Sequence, residues 1–263
     1  MLTLEELRKA DIKYLETGGE RKLNILYKQT PEEDLYLDLY YPTGKRDAKC
    51  PVVIYTHGGG WAAGDKQGAA GPLFAPLFKK LLEKGFCVAS VNYRLWNKKT
   101  SFVPECVADA KDAMRYLAKN SEALKVDPDR FFSMGDSAGG HLSQMLLLTS
   151  PESQPGDPAL AGASYKMVAG VSWYGFTNVE NDDLYFPERG LKEPKAGTTV
   201  RIIKLGATPE EARTILHEMS PTSYLTKDSP PLLVMQGDQD TAVSVKMLIT
   251  SRRKLRLCMR RLR

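Results

Sequence analysis

The sequence predicts an α/β protein built on a doubly wound, mostly parallel sheet with an antiparallel pair of strands at its N-terminal end. Lys22 to Tyr27 and Leu35 to Tyr41 alternate apolar and polar residues, the period of strands with one buried face. Short continuous apolar runs follow at Val52 to Tyr55, Phe86 to Val91, Arg130 to Met134, Met167 to Trp173 and Pro231 to Met235, as expected of strands buried on both faces. Helix-like stretches separate these runs, and that alternation implies right-handed crossovers.

Each helix has its own signal. Phe74 to Glu83 stops before Gly85, a natural C-terminal terminator. Glu105 to Asn120 places Val107, Ala110, Met114 and Leu117 on one face. Ala138 to Leu148 is apolar almost throughout, which implies burial. Residues 176–220 break the rhythm with Asn178, Pro187, Gly190, Pro194 and Gly197, then a helix-like Pro209 to His217, and they read as an insertion or partial cap. The 263 residues fit one domain, 1–263, whose atypical basic tail begins near Ser251.

Composition excludes several classes of function. With 42% hydrophobic and 26% charged residues the chain is globular, and no stretch reaches membrane-spanning length. The N-terminus lacks the basic start and apolar run of a secretory signal, so the expected location is cytoplasmic. Cys50, Cys87, Cys106 and Cys258 show no metal-like spacing and read as free buried thiols. The net charge is +5, but removing the seven basic residues between Arg252 and Arg263 leaves −2. The body therefore carries no basic stripe for nucleic acid.

Gly135-Asp136-Ser137-Ala138-Gly139 lies between an apolar strand and an apolar helix. In that context a G-x-S-x-G element holds its serine on a sharp, strained turn, where a hydroxyl can act as a nucleophile. His57-Gly58-Gly59-Gly60-Trp61 directly follows the strand ending at Thr56. Its place predicts a loop whose unobstructed N–H groups, from Gly58 and Gly59 together with Ala138, stabilise a developing oxyanion.

These stretches, with Asp38-Leu39-Tyr40-Tyr41-Pro42, Gly64-Asp65-Lys66, Val91-Asn92-Tyr93-Arg94-Leu95 and Asp127-Pro128-Asp129-Arg130, resemble the α/β-hydrolase carboxylesterases. The likeness is to the hormone-sensitive-lipase-like and feruloyl/acetyl-esterase-like branches, over residues 20 to 250. The resemblance implies hydrolysis of short-chain acyl esters, acetyl or related, through Ser137, on small-molecule substrates and without metal or organic cofactor. It also implies an acid in the loop Gly237-Asp238-Gln239-Asp240, with Asp240 the better match. The family order then requires a histidine after Asp240, yet the only histidines are His57, His141 and His217. In the family the residue matching His57 braces the oxyanion loop, and His141 lies a full turn along the helix from Ser137. That leaves His217, on the insertion, as the candidate base, since triads are defined by geometry.

A missing C-terminal strand and histidine loop would follow if residues 251–263 are a truncated or frame-shifted end. The rival reading is a basic amphipathic helix that contacts acidic membrane or a partner. Two further functions stay open beside the esterase: an idle hydrolase-fold protein that binds a ligand, and a formamidase-like amide hydrolase.

Overall fold

The computed structural model describes residues 14–180, 199–204, 206–240, 242–243 and 245–247. The basic tail and most of the centre of the expected insertion lie outside them, as does Cys258. Seven strands form one sheet: β1 Arg21–Gln29, β2 Asp34–Tyr40, β3 Cys50–Thr56, β4 Cys87–Val91, β5 Val126–Asp136, β6 Met167–Trp173 and β7 Leu232–Met235. Their order across the sheet is β1-β2-β4-β3-β5-β6-β7. β1 and β2 pair antiparallel, β2 joins β4 antiparallel, and every later pairing is parallel.

The apolar runs become the centre of the sheet because helices cover both faces. All residues of β3 and β4 are buried. Val52, Ile54, Ala89 and Val91 pack on one side with Ala110, Ala113, Met114 and Leu117 of helix α2, Val103–Lys119. Tyr55 and Val88 pack on the other with Phe78 and Leu82 of α1, Ala75–Glu83. Each such side chain taken from water contributes roughly 1.5–3 kcal/mol for the larger residues. Helix α3, Ala138–Leu148, is buried over all but its last residue, in keeping with its apolar sequence. Beyond two single-turn helices, Ser121–Leu124 and Thr199–Ile202, a longer one, α4, spans Pro209–Glu218, with Thr208 and Glu211 forming a reciprocal N-terminal cap.

Helix α2 also buries a polar face that its periodicity did not announce. Asp109 and Asp112 are fully buried, and Lys28 of β1 reaches between them at 2.7 and 2.6 Å. Arg94 grips Asp109 through Nε at 2.8 Å and Nη2 at 2.9 Å, while Arg115 Nη1 donates to Asp112 at 2.7 Å. Every charge of this network has an opposite partner, which is the condition under which ionised groups persist in an interior. The network fastens α2 to β1 and to the loop after β4.

Cys50, Cys87 and Cys106 are free and buried, as expected. No described helix is long and apolar enough to cross a membrane. Breaking the network at Asp109 with alanine strands Lys28 and Arg94, and is expected to cost about 3–5 kcal/mol in urea unfolding. A loss below about 1 kcal/mol would show that the buried charges do not hold α2 in place.

Candidate active site

The carboxyl ends of β3, β5, β6 and β7 share one end of the sheet, beginning at β3, where the strand order reverses between β4 on one side and β5 on the other. Open α/β sheets place their chemistry there. Ser137 follows β5 and caps α3 with φ 51° and ψ −117°. For a residue with a side chain this conformation costs on the order of 1–3 kcal/mol. Close packing sustains it. A Cβ on Gly135 would lie 2.2 Å from the Gly139 oxygen, and one on Gly139 would lie 2.0 Å from the Thr56 oxygen. Both glycines are thus required by the approach of β3 to the start of α3. Thr56 Oγ1 donates to the Gly139 carbonyl at 2.8 Å, and Ser137 N donates to the Trp173 carbonyl at 2.8 Å. The Ser137 side chain is half-buried and its hydroxyl has no partner among the described residues.

The glycine loop is tied down carbonyl by carbonyl. Asp136 Oδ1 accepts from Tyr55 Oη at 2.8 Å and from Gly58 N at 3.0 Å, clamping the loop to the turn that carries Ser137. The Gly58 carbonyl lies 2.8 Å from His57 Nδ1, which therefore carries its proton. The Gly59 carbonyl accepts from Ala62 N and Ala63 N, both at 3.1 Å. Because a trans peptide directs its N–H opposite to its C=O, these bonds turn the N–H groups of Gly59 and Gly60 away from their neighbours. Among the described residues neither of those groups, nor the Ala138 N–H, meets an acceptor. Ala138 opens α3, whose N-terminus favours negative charge.

The other sequence candidates are placed as follows. Asp240 lies after β7, and its oxygens accept from Gln236 Nε2 at 2.9 Å, Ala242 N at 2.7 Å and Val243 N at 3.0 Å. Tyr174 lies near it, its hydroxyl pKa pushed up by burial and then by Asp136 and Asp240. His217 is exposed in the last turn of α4, where Nδ1 bonds Glu180 and lies 3.3 Å from Ser223 Oγ. The structure does not bring it to Ser137 or Asp240. His57 is buried and stacked on Tyr93 at 4.4 Å, with its pKa lowered by burial. His141 is fully buried and lies 2.7 Å from the Met219 carbonyl. Gly58, expected as an oxyanion donor, gives its N–H to Asp136.

A cleft of about 350 Å³ opens beside Gly58 and Asp136, lined also by Tyr55, Leu73 and Phe74. Among the described residues no group of His, Cys, Asp or Glu side chains gathers to hold a metal ion. Asp136 and Tyr55 were given no role from the sequence, whereas Tyr93 lies in one of the stretches that carry the resemblance. Of the first two, Asp136 alone had a signal there, as the residue between glycine and serine in the motif.

The sheet order, the strained serine turn and the glycine loop define an α/β-hydrolase fold. The BD-FAE family profile matches residues 37–255, and the chain belongs to that family, among the α/β-hydrolase carboxylesterases. It is 30% identical over 246 residues to the probable carboxylic ester hydrolase LipM of Mycobacterium tuberculosis, covering 90% of this chain and 49% of that protein. It is 32% identical over 170 residues to the probable isoprenylcysteine alpha-carbonyl methylesterase ICME of Oryza sativa subsp. japonica, covering 64% and 38% respectively. The chain thus spans half the length or less of these curated relatives. Among solved structures, native esterase Est2 of Thermogutta terrifontis superposes with a TM-score of 0.67 at 24% identity, covering 91% of this chain and 77% of that one. The bifunctional GH43-CE protein of Bacteroides eggerthii gives 0.74 at 26% identity, covering 91% and 31%.

Burial lowers the His141 pKa from 6.5 to about 4. Between those values the unfolded chain binds the additional proton, so stability falls as pH drops from 6.5 towards 4, by roughly 3 kcal/mol. His141→Gln is expected to remove that portion of the slope in urea titrations taken across this window. Parallel curves for the two proteins would exclude a buried neutral His141.

Proposed function

We propose that this chain is a serine carboxylic-ester hydrolase for short-chain acyl esters, working through an acyl-serine intermediate. One observation carries the reading: Ser137 stands in a strained backbone conformation with a free hydroxyl, beside a glycine loop whose Gly59 and Gly60 N–H groups are left open. Its Oγ attacks the ester carbonyl carbon, and its proton passes to the candidate base His217, which returns it to the departing alkoxide. The charge that forms on the carbonyl oxygen meets the N–H groups of Gly59 and Ala138, with Gly60 in place of Gly58. Collapse expels the alcohol and leaves the acyl group on Ser137, and water then releases the acid.

Asp240 is the acid of this proposal. For His217 to serve as base it has to leave Glu180 and Ser223, since both lie against its Nδ1. The cleft beside Asp136 suits a small apolar group, with Phe74 packed on Tyr55 and Trp173 at 5.4 and 5.1 Å. Family membership supports the ester class. LipM and Est2 are described as a carboxylic ester hydrolase and an esterase.

A second reading rests on the histidines, none of which bonds Ser137 or Asp240 among the described residues: one ring nitrogen of His57 and of His141 meets a backbone carbonyl, and His217 bonds Glu180. It makes the chain a hydrolase-fold protein that binds a ligand without turnover. Fluorophosphonate labelling separates the two. The esterase reading expects covalent capture at Ser137, its loss in Ser137→Ala, and a burst with a chromogenic acetate ester. Equal labelling of both proteins would remove Ser137 from its role, and no burst at high protein concentration would favour the second reading.

A further inference from the structure

The glycine loop leaves its turn through two consecutive left-handed residues, Gly60 at φ 61° and Trp61 at φ 58°. Glycine accepts that conformation freely, whereas tryptophan adopts it only where its surroundings impose it. The carbonyls of both residues are held from outside the loop. Trp96 N donates to the Trp61 carbonyl at 2.6 Å. Arg201 Nη1 donates to the Gly60 carbonyl at 2.5 Å, across 141 positions of sequence. The guanidinium carbon of Arg201 lies 5.3 Å from the centre of the Trp96 ring, so the two braces support each other. The fit is tight: a Cβ on Gly60 would lie 2.3 Å from Arg201 Nη1.

Arg201 is itself anchored. It belongs to a short helix, Thr199–Ile202, whose Ile202 is buried in a cluster with Trp61, Tyr93 and Val103. Two residues on, Lys204 pairs with Glu105 of α2 at 3.1 Å. The arm reaching the glycine loop therefore starts from a docked segment.

We propose that Arg201 is a positioning residue for the oxyanion loop, holding the Gly60 carbonyl so that the left-handed pair Gly60-Trp61 keeps the preceding N–H groups in register with Ser137. The inference rests on the ester-hydrolase reading and adds to it a dependence of the oxyanion site on the 199–204 segment. Arg201 touches no reacting atom in this role. Its effect passes through the backbone, because rotation at Gly60 is the motion that would swing the Gly60 N–H out of place.

The test uses the whole chain with Arg201→Ala and Arg201→Lys. Hydrogen–deuterium exchange is followed across residues 57–64, with fluorophosphonate capture at Ser137 and turnover of a chromogenic acetate ester. In Arg201→Ala, loop exchange is expected to rise at least about tenfold while β3 and α3 keep their protection. Capture and kcat should fall about 10- to 100-fold with KM near its starting value, less than the 10²–10³ typical of removing an oxyanion donor outright. Added ethylguanidinium should recover part of the Arg201→Ala rate. Lysine should not substitute, since an ammonium lacks the planar fork that stacks on Trp96 while bonding a carbonyl.

Unchanged loop exchange in Arg201→Ala overturns the proposal whatever the turnover. A rise in KM alone also overturns it, since Arg201 would then be binding substrate. If the unsubstituted chain shows no capture at Ser137 but loop exchange still rises in Arg201→Ala, the ester-hydrolase reading fails and the positioning role stands.

Discussion

The site depends on how closely the end of β3 approaches the start of α3. The Thr56 carbonyl stands where a Cβ on Gly139 would be, and the Gly139 carbonyl stands where a Cβ on Gly135 would be. No side chain larger than hydrogen fits between these backbones, and the contact brings the loop after β3 against the turn after β5. Asp136 then converts proximity into geometry. One of its oxygens takes both the Tyr55 hydroxyl and the Gly58 N–H, so the residue beside Ser137 fixes the first peptide of the glycine loop. The Ser137 turn and the loop are thereby fastened to each other, the arrangement that the proposed catalysis by preorganised dipoles requires.

Much of the fold was legible because hydrophobic period and glycine placement are local signals. The buried runs at β3, β4 and β6 and the apolar α3 were read from the sequence close to their observed bounds. β5 runs longer than expected, from Val126, because Asp127 and Pro128 look like turn residues and tertiary pairing overrides that preference. The serine turn was legible for the same local reason. What was not legible depends on partners distant in sequence. Nothing near Asp109 or Asp112 announces that Lys28 and Arg94 will neutralise them, and a helix with a charged face reads as solvated on that side. Gly58 shows the same limit within the site. A triple glycine says that N–H groups are unobstructed, but which of them is already bonded depends on an aspartate 78 positions away.

The histidines illustrate how environment decides role. His57 and His141 are both buried with lowered pKa values, and each bonds or faces a backbone carbonyl. A neutral imidazole in such a place works as a fixed donor. His57 uses its proton to hold the Gly58 carbonyl, and this in turn sets the direction of the Gly59 N–H. His217 is the exposed one, and it has the carboxylate partner that a base commonly has, in Glu180. Its pairing lies on α4 and the chain after β6, so reaching the serine would require that pairing to break.

The loop also explains how open donors can be built from backbone alone. Each peptide has one donor and one acceptor, fixed opposite one another, so a site that needs free donors must occupy the acceptors. His57 takes the carbonyl of Gly58, Ala62 and Ala63 take that of Gly59, Arg201 takes that of Gly60 and Trp96 takes that of Trp61. Four successive carbonyls are satisfied while the N–H groups of Gly59 and Gly60 stay open. The first two braces are local and travel with the glycine motif. The last two come from the chain after β4 and from the 199–204 segment, which ties the geometry of a short motif to parts of the fold that the motif does not encode. A loop built this way can change the direction of its open N–H groups without altering any of its own glycines, by changing how those braces dock.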